Sequence, residues 1–113
     1  MLSVTPDQIE AMANAIAKAV DPEQIIIFGS QARGDAGPDS DVDFLIITSE
    51  PFGPRRSRRR IRERAQNALK GYSIHVDVVL FSRDEVERWS ASRMHVVGRA
   101  MLEGQIVYQR SDA

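Results

Sequence analysis

Three carboxylates and one turn are the residues of this chain whose type and spacing could do chemistry. Asp41 and Asp43 lie two apart in the stretch DSDVDFLII, and a strand sends residues i and i+2 to the same face. Like charges that close stay ionised when something positive sits between them. A divalent cation does so, and hard oxygen ligands suit magnesium. Ten residues before Asp41 comes Gly29-Ser30, directly after the apolar run Ile25–Phe28. A bend out of a strand into a helix start aims backbone N–H groups at an anion such as phosphate. A phosphate cradle beside metal-holding carboxylates is the equipment of phosphoryl or nucleotidyl transfer. The third carboxylate, Asp77, stands in the apolar run SIHVDVVLF. Burying even an uncharged polar group without a partner costs on the order of 2–7 kcal/mol. Taken alone, Asp77 reads as an ion-paired or hydrogen-bonded core residue. Beside Asp41 and Asp43 it reads as the third ligand of a two-metal site. His75 shares its face, and a lone histidine of this kind is assigned no role.

The elements that must position these groups are marked by local signals. Thr5, Pro6 and Gln8 make a capping box with proline at the first helical position, and Val4 and Ile9 a hydrophobic staple. Ile9, Met12, Ala13, Ile16 and Val20 recur at helical spacing. Asp21-Pro22 ends that helix, because the residue before proline is pushed out of the helical region. Ile25–Phe28 predicts a strand buried on both faces. Residues 30–33 form one helical turn, and 34–40, rich in Gly, Pro and Asp, a loop. A second strand runs over 42–48, with Asp41, Asp43, Leu45 and Ile47 on one face and Val42, Phe44 and Ile46 on the other. Ile61, Ala65, Ala68 and Leu69 place a helix that closes at Gly71. A third strand is expected over 73–81. Ser82 to Glu85 is a second capping box, with Phe81 and Val86 as its staple. Helices to about Trp89 and over 92–103 follow, the latter presenting Val96, Val97, Ala100 and Met101 inward, and a short strand covers 105–108. Trp89, Met94 and Tyr108 read as core.

Composition narrows the class. With 113 residues, 42% hydrophobic and 27% charged, the chain suits a single folded domain over 1–113. The absence of cysteine excludes disulfides, thiolate metal sites and cysteine nucleophiles. The start MLSVTPDQIE lacks a signal-peptide layout, and the apolar runs are too short to span a bilayer. A soluble cytoplasmic protein is the expectation. The net charge of −1 conceals an uneven distribution. Residues 55–70 carry eight basic side chains and one Glu, net +7, which leaves −8 for the remainder. Cations at a helix start oppose the macrodipole. The arginines read equally as a solvated face or as an anion-attracting flank for a nucleoside triphosphate, a nucleic acid or an acidic partner.

The string GSQARGDAGPDSDVDFLII, with Gly29-Ser30, ten residues and then Asp41-Val42-Asp43, resembles the G-S-x10-D-x-D signature of the DNA polymerase β-like nucleotidyltransferase superfamily. It is similar to the small stand-alone group known as minimal nucleotidyltransferases (MNT domains), and the resemblance spans essentially the whole chain. It implies an α+β fold, an α/β sandwich in which helices pack on a small mixed β-sheet of three to four strands. It implies that Asp41, Asp43 and Asp77 bind magnesium, two ions, with Asp77 helping to deprotonate the attacking hydroxyl. Gly29 and Ser30 would hold the phosphates of ATP, and Arg33 would neutralise charge on them. Larger members add helical domains that grip base and acceptor, and none is expected within these 113 residues. The resemblance also implies a partner, since minimal nucleotidyltransferases are similar to the antitoxin half of toxin–antitoxin pairs whose other half is an all-helical HEPN ribonuclease. AMP would then pass from ATP to a tyrosine of the toxin within a homo- or hetero-oligomer. Docking without catalysis, and adenylylation of a small molecule such as an aminoglycoside, are the rival readings. Nucleic acid is the lesser alternative as partner.

Overall fold

The structure is a computed structural model that describes residues 4–34 and 41–111. Of the loop expected over 34–40, residues 35–40 lie outside the described residues. The elements run α1 (Pro6–Val20), β1 (Gln24–Phe28), α2 (Ser30–Arg33), β2 (Val42–Thr48), α3 (Arg58–Ala68), β3 (Val76–Ser82), α4 (Arg83–Trp89), α5 (Val96–Glu103) and β4 (Gln105–Gln109). The four strands make one mixed sheet ordered β3-β2-β1-β4. β1 pairs antiparallel with both β2 and β4, and β2 pairs parallel with β3. The fold is α+β with helices on both faces of the sheet.

Strand alternation divides the core. Ile25, Ile27, Val42, Phe44, Ile46, Val78 and Leu80 face Met12 and Ile16 of α1 and Ile61 and Ala65 of α3. Ile26, Leu45 and Ile47 face Val86 of α4 and Val97 and Ala100 of α5. The central strands are therefore buried on both sides, as their unbroken apolar runs require. The capping box of α1 forms as its sequence implies, with Thr5 Oγ1 accepting from Gln8 N–H at 3.1 Å and Gln8 Oε1 accepting from Thr5 N–H at 2.9 Å. Asp21 ends the helix in the left-handed region at φ 48°.

Three boundaries that bear on the site and the core differ from the sequence reading. α3 ends at Ala68, with Leu69 as its C-cap, rather than closing at Gly71. α5 starts at Val96, after a turn, because His95 caps it: its Nδ1 accepts from Val97 N–H at 3.0 Å. Met101 is 39% and Met94 93% exposed, so neither is core. His95 also stacks on the Trp89 indole at 4.6 Å, and the indole stays partly exposed outside the core. β3 starts at Val76, where parallel pairing with Val42 begins, so Asp77 is an exposed residue at the strand's entry and not one buried in its middle.

One arginine of the basic cluster is a strut. Arg58 donates to Leu80 O at 2.7 Å and makes a two-pronged pair with Glu85 at 3.1 and 2.6 Å. Its guanidinium lies 4.4 Å from the Phe52 ring centroid. Glu85 in turn accepts from Ser82 N–H at 3.0 Å, closing the α4 capping box. Burial is the largest single influence on Glu85 and raises its pKa. The Arg58 and Ser82 hydrogen bonds, with the Arg58 charge, outweigh it and hold the carboxyl below its usual range. We expect Arg58→Ala to destabilise the fold by about 1.5–3 kcal/mol, the worth of hydrogen bonds to charged groups. A depressed folded-state pKa contributes stability above the unfolded value, about 4.3, that is lost as pH falls through the folded one. Urea melts across pH 3–7 should therefore show the gap between wild type and variant closing below about pH 4.5. A gap constant down to pH 3 would refute the assignment.

Candidate active site

β1 and β2 meet at Phe28 opposite Asp43, and β2 and β3 meet at Asp43 beside Asp77. Neighbouring strands lie about 4.8 Å apart, so the Asp43 and Asp77 carboxyls emerge side by side on the face that α5 covers. Asp43 is half-buried. Burial, then the charges of Asp77 and Asp41, then hydrogen-bonding contact with Asp77 raise its pKa, against a smaller opposite pull from Arg33.

Gly29 follows Phe28 and starts α2 with φ 77° and ψ −155°. A Cβ built there would collide with Oδ2 of Asp43, so the turn can pass this close to the carboxylate only as glycine. Ala32 N–H and Arg33 N–H fold back onto Gly29 O, both at 3.1 Å. The close approach of Gly29 to Oδ2 of Asp43 places the turn, with the first amides of α2, and that carboxylate at one spot. The Arg33 guanidinium reaches Glu103 of α5 at 3.1 Å.

Asp41 stands just ahead of β2. Val42 N–H donates to His75 O at 3.0 Å, which aligns the entry segments of β2 and β3. His75 Nδ1 then lies 2.7 Å from Asp41 Oδ1. That hydrogen bond, and next the Asp41 charge, raise the histidine's pKa. Asp41, His75 and Asp77 offer ligand atoms within 4.8 Å of one another. Two carboxylates and one imidazole make up that group, with the Asp43 carboxyl beside Asp77, and a donor set in which oxygen dominates fits a hard divalent cation. The residues predicted for chemistry thus gather at one end of the sheet, and His75, left without a role above, stands among them. Its only signal in the sequence was sharing a strand face with Asp77.

A groove of about 490 Å³ opens over this end, lined by Phe28, Gly29, Arg33, Asp43 and Asp77 and walled by Arg62 and Gln66 of α3 and Arg99 of α5. Arg99 had no sequence signal at all, being one exposed cation on an amphipathic helix. Residues 9–103 match the profile of the nucleotidyltransferase domain. The chain belongs to that polymerase β-like nucleotidyltransferase family. Over 74 residues it is 32% identical to a "putative protein adenylyltransferase" of Methanocaldococcus jannaschii, covering 59% of this chain and 74% of that one. Among solved structures it resembles a "putative nucleotidyltransferase" from Sulfolobus solfataricus, with a TM-score of 0.59 and 22% identity over 93% of this chain and 84% of that one. It also resembles a chain of a toxin–antitoxin structure with AMP-PNP, with a TM-score of 0.60 and 19% identity over 89% of this chain and 73% of that one. At such identities these two likenesses are of fold. The nucleotidyltransferase contains, among its described residues, no helix long and apolar enough to cross a membrane.

Proposed function

We propose that this nucleotidyltransferase moves AMP from ATP onto the hydroxyl of a tyrosine in a partner protein, a helical HEPN-type ribonuclease toxin, and silences it. The observation that carries the reading is the convergence of Asp43 and Asp77 beside the Gly29 turn in an open groove, with Asp41 clustered against Asp77. The protein-modifying relative and the toxin–antitoxin neighbour support the choice of acceptor.

Asp41, Asp43 and Asp77 would hold magnesium, two ions in the fullest form of the site. Bound there, magnesium neutralises charge on the triphosphate and polarises its phosphorus–oxygen bonds. The Gly29-Ser30 turn presents amides to the phosphates, and Arg33 exchanges Glu103 for a phosphate oxygen. The tyrosine oxygen attacks the α-phosphorus, the bond from that phosphorus to the bridging oxygen breaks, and pyrophosphate leaves. Asp77, exposed at the groove, accepts the tyrosine proton. Positioning dominates this chemistry, so the open groove suits an acceptor that a partner's own fold holds in line.

Intact-mass analysis and peptide mapping of a HEPN-type helical protein co-expressed with this one and incubated with ATP and magnesium provide the test. One AMP on a tyrosine is the expected result. Inhibition of the partner without any mass change would replace transfer by docking.

A further inference from the structure

Seven arginines crowd positions 55–64, and the fold uses only two of them internally. Arg58 is the strut described above, and Arg56 pairs with Glu50 at 3.8 Å and lies over Phe52. Arg55, Arg59, Arg60, Arg62 and Arg64 are exposed and form no ion pair among the described residues. Helix stability does not call for them, since cations in a first turn oppose the macrodipole. Residues four apart lie on one flank of a helix. Arg60 and Arg64 border a cleft of about 420 Å³ on one side of α3, and Arg62 with Gln66 walls the catalytic groove on the other.

We propose that this arginine ridge docks an acidic segment of the acceptor protein and leads it over α3 into the groove. The inference rests on the protein-acceptor reading above and adds the surface and the chemistry that it recognises. Charge complementarity carries it: a +7 segment on a chain whose remainder is −8 attracts carboxylates locally while the rest of the surface repels them. Single-stranded nucleic acid requires stacking platforms among the cations. The ring beside the ridge, Phe52, is covered by the guanidiniums of Arg56 and Arg58, and Trp89 of α4 is occupied by His95.

The test compares wild type with the triple variant Arg59→Ser, Arg60→Ser, Arg64→Ser, none of which lines the catalytic groove. The probe is a labelled peptide with one tyrosine among glutamates, and a phenylalanine version of it for binding. Anisotropy at low salt should show the phenylalanine peptide binding wild type at least tenfold more tightly than the variant, with the difference shrinking at high salt. ATP affinity by calorimetry should agree within twofold. Equal binding of the peptide to both proteins overturns the proposal. So does tighter binding of an RNA duplex than of the peptide, or a salt-sensitive dimer of the wild type that the variant abolishes. Docking of the phenylalanine peptide without AMP transfer to the tyrosine peptide would overturn the protein-acceptor reading and leave the ridge standing.

Discussion

Asp43→Asn is expected to reduce nucleotidyl transfer by about a thousandfold or more while the fold persists. Metal ions contribute several kcal/mol of charge stabilisation to such reactions, and each 1.36 kcal/mol is tenfold in rate. Asparagine keeps the shape of the side chain, so the sheet should be undisturbed. In metal-free buffer the variant should melt higher than wild type, because Asp43 is half-buried and crowded by Asp77 and Asp41. Magnesium should reverse that order, stabilising wild type by binding its folded state and leaving the variant nearly unmoved. Transfer at the wild-type rate by the variant, or in excess EDTA, would remove Asp43 from the metal site. A melting temperature that magnesium raises equally in both proteins would do the same without any appeal to activity.

Gly29→Ala should be nearly as damaging to activity, by a different route. At φ 77° and ψ −155° the backbone occupies a region open essentially to glycine alone, and such strain costs about 1–3 kcal/mol. A Cβ there also meets Oδ2 of Asp43, so relief requires the turn or the carboxylate to move. A displacement of about 1 Å near a reacting centre is worth about a hundredfold in rate. The control is Gly34→Ala, also at positive φ but with no described atom within 4 Å of the new Cβ. It should lose stability and keep most of its activity. If urea melts and labelled-ATP assays find the two variants alike, close approach to Asp43 is not why position 29 is glycine.

Both predictions concern residues that the sequence makes conspicuous, and the reasons are local. A capping box such as Thr5-Pro6-Asp7-Gln8, or Ser82 to Glu85, acts within one helical turn. The apolar runs of β1 and β2 declare burial on both faces through composition alone, and Gly29-Ser30 and Asp41-x-Asp43 carry their chemistry in their spacing. These are properties of neighbours along the chain, so composition and period suffice to read them, and the family follows from their order.

What the tertiary structure decided lies at the junctions between elements. Whether Asp77 stands beside Asp43 depends on the register of a parallel pair joined through α3, and a shift of one residue would send it to the opposite face. The same register aligns His75 with Asp41. It also makes Asp77 an exposed residue at the strand entry, where composition alone suggested burial. The arginine cluster looked uniform in sequence, yet packing separates Arg58, held by Glu85 and Phe52, from the exposed ridge. Arg99 became a wall of the groove because α5 lies across the face where Asp43 emerges. None of these outcomes has a local cause. Each is set by which distant side chains the sheet and its helices bring together, and that depends on the free energy of the whole packed core.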